Sequence, residues 1–265
     1  MTVPDLQTIE FAITDTIATI QLNRPDAANG MNVEMMRELL TAVTHCDGNK
    51  DIRAIILTGN GKMFSAGGDL RYFASLGDGI RDALSEMATL LHACITRFAH
   101  MEKPLIIAVN GMAAGGGLSL AMAGDIVLAA ESSQYTMAYT GAGLTPDGSS
   151  SYFLPRLVGL RRTQELMLTN RRLTAAEALE WGMVTRVVSD ADLLPEARKL
   201  AQQLAQGPTQ AYGTVKRLLA ESFNNGMETQ MELEGRAIAA QSESREGQEG
   251  ITAFLQKRAP QFASL

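Results

Sequence analysis

Residues 64–70 read Phe64-Ser65-Ala66-Gly67-Gly68-Asp69-Leu70, and residues 110–117 read Asn110-Gly111-Met112-Ala113-Ala114-Gly115-Gly116-Gly117. Each glycine cluster follows an apolar, β-like run: Ala54-Ile55-Ile56-Leu57-Thr58 before the first, Leu105-Ile106-Ile107-Ala108-Val109 before the second. Glycine lets the backbone bend sharply and lets another molecule approach the main chain. Two such turns at the ends of neighbouring strands aim two backbone N–H groups at one point, where they stabilise negative charge developing on a carbonyl oxygen. Taken singly, either cluster reads as an ordinary loop; as a pair they outline an oxyanion hole and point to acyl chemistry. A dinucleotide-binding loop is the competing reading of the second cluster, and it fails because Leu120 stands where the third glycine is required.

The surrounding sequence is consistent with a folded enzyme. The 265 residues fit one large domain, or one domain with a small appendage, and the hydrophobic fraction of 46% supplies a core. A net charge of -6 argues against nucleic acid as the main partner, while leaving room for a phosphate-bearing ligand on a local basic rim. Cys46 and Cys94 lie in helix-like stretches without ligand spacing and read as buried free thiols in a reducing compartment. The start, Met1-Thr2-Val3-Pro4-Asp5, lacks the charged and apolar regions of a secretory signal, and no apolar run reaches membrane-spanning length. The expectation is a soluble, cytoplasmic protein.

Residues 8–13 and 16–22 predict two strands joined by a tight turn at Thr14-Asp15, and Asn32 caps a predicted helix running to about Cys46. Strands at 53–58, 105–109 and 126–130 are continuous apolar runs, as expected where both faces of a sheet are covered. A long helix over 78–101 and a short one over 116–123 separate them, so the sheet is expected to be largely parallel with right-handed crossovers. After Asp147 helix follows helix, at about 148–157, 160–169, 174–180, 192–206, 208–223, 227–242 and 244–257, with strand character only over 183–188.

Several motifs then fall in a recognisable order. They are Asn23-Arg24-Pro25, Phe64 to Asp69, Lys103-Pro104 through Gly117, Asp125-Ile126, Leu157-Val158-Gly159, Leu173-Thr174-Ala175-Ala176-Glu177-Ala178 and Trp181-Gly182-Met183-Val184. Over nearly its full length the chain resembles the crotonase, or enoyl-CoA hydratase/isomerase, superfamily. The resemblance implies an α/β fold, a crotonase (ClpP-like) spiral of ββα turns over residues 1–200 with a helical C-terminal trimerisation region over 201–265. It also implies a homotrimer or a hexamer of two trimers, an acyl-CoA thioester substrate, and no metal or redox cofactor, coenzyme A being part of the substrate. By position, the oxyanion donors would be the N–H groups of Gly68 and Gly116, the latter opening a helix whose dipole favours an anion. The coenzyme side would involve Arg24, Ala27, Ala28, Ala66 and Asp69, with Phe254 and Lys257 closing over it from an adjacent subunit. Asp26 stands where many relatives have a basic residue, so the phosphate contact would fall to Arg24 or to another residue.

The acid/base residue selects the reaction. Hydratases of the superfamily place two glutamates around the acyl chain; the matching positions here are Ser119 and Tyr139, neither of which is a strong base. A carboxylate stands slightly later, in Gly143-Leu144-Thr145-Pro146-Asp147-Gly148-Ser149-Ser150, a stretch resembling enoyl-CoA isomerases and the ring-epoxide-CoA isomerases of phenylacetate degradation. On that resemblance Asp147 carries the proton, while Ser119, Tyr139, Leu144 and His92 belong to the acyl pocket, with Met112, Met137 and Phe153 as further walls. Without the resemblance, Asp147 reads as a helix N-cap, and the methionines as core.

Three alternatives stand beside the isomerase. Asp147 also matches the nucleophile of 4-chlorobenzoyl-CoA dehalogenases and His92 falls near their catalytic histidine, which makes a nucleophilic hydrolase or dehalogenase the first. An enoyl-CoA hydratase with atypical residues is the second. The third is a CoA-binding scaffold without turnover.

Overall fold

A computed structural model describes residues 6–265; Met1–Asp5, read above for a leader, lie outside the described residues. The chain opens with an antiparallel hairpin, β1 (Ile9–Thr14) and β2 (Ile17–Leu22). Its turn is one residue later than expected: Asp15 and Thr16 both take positive φ, which gives the turn the twist that suits a two-residue hairpin. Next comes α1 (Val33–Gly48), whose Asn32 side chain accepts a hydrogen bond from the Met35 N–H at 2.9 Å, the predicted cap.

The chain then repeats one unit. β3 (Ala54–Gly59) is followed by the short β4 (Met63–Ser65) and the helices α2 (Leu70–Ser75) and α3 (Ile80–His100). β5 (Leu105–Val109), β6 (Met112–Ala114) and α4 (Gly116–Ala121) repeat the pattern, and β7 (Ile126–Ala130) with β8 (Gln134–Thr136) begin it again. The long strands form one sheet in the order β1-β2-β3-β5-β7, parallel from β2 onward, and the short ones pair in parallel in a second, β4-β6-β8. This is the expected spiral of ββα turns. The second sheet is absent from the sequence reading because three-residue strands are too short to display a period of two.

Beyond Asp147 the helices α5 (Ser150–Val158) and α6 (Leu160–Thr169) precede β9 (Leu173–Thr174), which adds an antiparallel edge to the small sheet. The expected string of helices is thus interrupted twice, by β9 and by β10 after α7 (Ala175–Glu180). β10 covers only Arg186–Val188 of the anticipated 183–188 and pairs in parallel with β7. Four helices finish the chain: α8 (Leu193–Ala205), α9 (Thr209–Ser222), α10 (Met227–Glu243) and α11 (Arg245–Leu255).

Every residue of β3 and β5 is buried, because α1 and α3 pack on one face of the main sheet and α8 on the other. Burying each Ile or Leu of these strands contributes roughly 1.5–3 kcal/mol. Residue 200, the expected domain boundary, lies inside α8, whose inward face (Ala197, Leu200, Ala201) still covers the sheet. Helix α9 is then anchored by Lys216, whose Nζ meets the Asp125 carboxylate at 2.8 Å and donates to the Phe98 carbonyl at 2.6 Å. Cys46 and Cys94 are free and buried, and burial pushes both thiols up to about 12, so neither is a nucleophile at neutral pH.

Candidate active site

The two glycine turns come together because β4 and β6 are neighbours. Gly67 and Gly115 both have positive φ, the conformation an L side chain resists. The approach is close enough that a Cβ on Gly67 would lie 2.8 Å from the Gly116 nitrogen. The first turn is fixed from behind: Ser65 Oγ donates to the Asn29 carbonyl at 2.8 Å, and the Asn29 amide donates to the carbonyls of Asn60 and Met63. Met31 pairs across Gly68 by donating to the Gly67 carbonyl and accepting from the Asp69 N–H. That pairing leaves the Gly68 N–H unused. The Gly116 N–H, first in α4, has no intrahelical partner. Neither group donates to the main chain of any described residue, and both glycines line the same cavity.

This cavity has a volume of about 340 Å³. Met31, Met36, Phe73, Leu84, Met87 and Leu91 supply apolar wall, and Ala66, Tyr139, Leu144 and Asp147 also line it. Asp147 is the one carboxylate among the lining residues. The wall contributed by α3 was missed in the sequence, although Leu84, Met87, Ala88 and Leu91 follow the i, i+3, i+4, i+7 spacing of one helix face.

Several predicted residues occupy other places. Ser119 is fully buried behind Tyr139 and is not a wall: its Oγ lies 3.0 Å from the Tyr139 hydroxyl and donates to the Asp147 carbonyl at 2.9 Å. Met112, Met137 and Phe153 are not lining residues either, and Met137 is plain core. His92 also lies outside the lining; its Nε2 accepts the Gly148 N–H at 3.1 Å and stands 3.8 Å from Asp147 Oδ2. Nor does Asp147 cap α5. Ser149 holds the cap position in a left-handed conformation, and the Asp147 carboxylate instead accepts the Tyr139 hydroxyl at 2.6 Å. Burial, reinforced by that carboxylate, pushes the Tyr139 phenol well above its ordinary range and keeps it protonated.

The residues assigned to the coenzyme side divide into two groups. Ala66 donates its N–H to the Ala28 carbonyl at 3.0 Å, which joins the Ala27-Ala28 turn to the first glycine turn. Arg24 is not a free cation: it pairs with Asp69 at 2.9 Å and donates to the Gly30 carbonyl. Asp69 also caps α2 by accepting from the Arg71 and Tyr72 N–H groups. Burial would raise the Asp69 carboxyl, but the Tyr72 N–H and Arg24 hold it below the usual carboxylate range. Both residues therefore clamp the loop between β2 and α1 to the first glycine turn. Phe254 is 82% exposed on α11, and neither it nor Lys257 lines the cavity of its own chain.

Among the described residues no group of three or more His, Cys, Asp and Glu side chains is placed to hold a metal ion, and no helix is long and apolar enough to cross a membrane.

Comparison with known proteins agrees with this architecture. The family model described as enoyl-CoA hydratase/isomerase matches residues 12–264. The chain belongs to this family, within the crotonase superfamily. It is 38% identical over 248 residues to a 1,2-epoxyphenylacetyl-CoA isomerase of Escherichia coli (strain K12), covering 93% of this chain and 94% of that protein. It is also 38% identical over 229 residues to 4-chlorobenzoyl coenzyme A dehalogenase-2 of an Arthrobacter species, covering 86% and 83%. The crystal structure of an enoyl-CoA hydratase from Polaromonas sp. JS666 superposes with a TM-score of 0.91 at 32% identity, covering 96% of this chain and 98% of that one.

Proposed function

We propose that the protein is an acyl-CoA isomerase that shifts a double bond by moving one proton through a thioester enolate. The observation that carries this reading is that Asp147 is the one carboxylate lining the cavity onto which Gly68 and Gly116 open. The thioester oxygen sits between the two N–H groups, which stabilise the enolate charge as it forms. Asp147 takes the proton next to the thioester and returns it further along the acyl chain. No water has to be activated, which is consistent with Ser119 and Tyr139 standing where the hydratases' glutamates would be. The pantetheine runs past Ala27, Ala28 and Ala66, and the substrate brings the coenzyme with it, so no separate cofactor is required.

The reading is tested with a panel of unsaturated, saturated and halogenated acyl-CoA esters in deuterated water, followed by mass spectrometry and NMR. Deuterium at the carbon beside the thioester and a migrated double bond are expected. CoA esters that bind without exchange would make the protein a scaffold, and hydrated products would make it a hydratase.

One observation favours a second reading. His92 Nε2 lies 3.8 Å from Asp147 Oδ2, a distance at which a histidine can serve a nucleophilic carboxylate in hydrolysis or dehalogenation. That nitrogen's lone pair, however, already accepts the Gly148 N–H, which turns it away from a water molecule. Covalent trapping of the acyl group on Asp147 under single turnover distinguishes this reading from proton transfer.

We also propose a homotrimer, alone or paired into a hexamer. The outer surface of the terminal helices carries Leu219, Phe223, Met227, Ile238, Phe254 and Leu255, each at least 63% exposed. A monomer rarely leaves so much apolar surface uncovered. Light scattering at micromolar concentration is expected to return three or six times the chain mass, and a stable monomer would reject both the assembly and any role for Phe254 and Lys257 across a subunit boundary.

A further inference from the structure

We infer that Tyr139 is a positioning residue for Asp147: its hydroxyl holds one carboxylate oxygen and so reserves the other for the proton that moves. The contact is short and directional, 2.6 Å from the Tyr139 hydroxyl to Asp147 Oδ1. Its donor is itself fixed. The Tyr139 carbonyl accepts from both the Ala142 and Leu144 N–H groups, and the preceding Ala138 sits at a positive φ of 52°, a conformation that persists only where the surroundings enforce it. Ser119, fully buried, braces the far side, with its Oγ 3.0 Å from the phenol oxygen and within hydrogen-bond reach of the Asp147 carbonyl. With one hydroxyl proton, Ser119 donates to the phenol oxygen or to the Asp147 carbonyl, one at a time.

The groups that face the carboxylate are few. From α3 comes His92, which approaches Oδ2, and from the turn after β8 comes Tyr139, which binds Oδ1; among the described residues no Lys or Arg side chain pairs with Asp147. The proton bookkeeping follows from this. Tyr139 keeps its own proton throughout, because its phenol stays protonated beside the carboxylate. Oδ2 accepts the substrate proton, Asp147 becomes a neutral acid, and the same oxygen gives the proton back to carbon.

The consequence for catalysis rests on the isomerase reading; the hydrogen bond does not. The test therefore has two arms on the full-length protein. In the first, aspartate carboxyls are labelled with carbon-13 and followed by NMR at neutral pH, with D147N assigning the Asp147 signal. Tyr139→Phe is expected to move the Asp147 carboxyl resonance, because one of its oxygens loses its donor; Ser119→Ala is expected to move it less, in the same direction. In the second arm, Y139F is expected to lower kcat about 10–100-fold with KM nearly unchanged. An unmoved resonance in Y139F overturns the inference, even if activity falls. A wild-type protein that exchanges no substrate proton removes the isomerase reading, while the resonance still decides the role of Tyr139. Should Y139F fail to fold, 3-fluorotyrosine at position 139 provides a stronger donor of nearly the same shape. It is expected to move the Asp147 resonance, and no movement would again overturn the assignment.

Discussion

Replacing Asp147 by asparagine is expected to lower the proposed isomerase turnover by about 10²–10⁴-fold, the range for loss of a general acid–base group. Asparagine has the same shape, and its carbonyl oxygen can still accept the Tyr139 hydroxyl that now meets Oδ1 at 2.6 Å. The carboxylate does not cap α5, so no helix end loses its partner. Folding, assembly and affinity for the CoA ester should therefore survive, and the loss should fall on kcat rather than on KM. The measurement is exchange of the proton beside the thioester in deuterated water, compared for wild type and Asp147→Asn with one unsaturated acyl-CoA. Exchange at the wild-type rate would show that Asp147 is a bystander.

A second large effect is expected at Gly67, which no side-chain argument would single out. Gly67 has a φ of +82°, and a Cβ there would lie 2.6 Å from the Ala114 carbonyl oxygen and 2.8 Å from the Gly116 nitrogen. Both of those neighbours are backbone, so neither can swing aside. Gly67→Ala combines a disfavoured backbone conformation with overpacking between two sheet turns, which together cost about 2–5 kcal/mol. It also forces apart the two turns that carry the proposed oxyanion donors. Loss of one such donor typically lowers kcat about 10²–10³-fold, and the variant is expected to show that loss together with a lower urea midpoint. Wild-type activity in Gly67→Ala would mean that the spacing of the two turns is not what stabilises the enolate.

The two tests probe different halves of one arrangement. In the proposed reaction Asp147 moves the proton, whereas the glycine turns hold the charge that the proton leaves behind. If D147N is inactive while Gly67→Ala is not, the protein uses its carboxylate without the hole, and the nucleophilic reading gains ground. If both are inactive, proton transfer through an enolate is the simplest account.

Much of this was legible in the chain itself. The apolar runs at 54–58, 105–109 and 126–130 specify buried parallel strands, because a strand covered on both faces has no reason to alternate. Asn32 announces the start of α1 by its capping chemistry. The glycine turns are readable because only glycine tolerates the positive φ at Gly67 and Gly115 without strain. Asp147 could be picked out by its place among the motifs, and the structure puts it in the cavity with Gly68 and Gly116.

What the sequence could not supply is which side chains face one another, since that depends on contacts between elements far apart in the chain. Arg24 and Asp69 each read as a ligand contact, and nothing in the sequence signals that, 45 residues apart, they pair with each other. Ser119 and Tyr139 read as pocket walls, yet only Tyr139 is one, because the side chain of Ser119 is buried behind it. His92 lies 56 residues from Gly148 and reaches its N–H only because α3 passes beside the start of α5. Local chemistry determined the strands, the caps and the turns; the tertiary fold decided which polar groups are spent on each other and which remain free to act on a substrate.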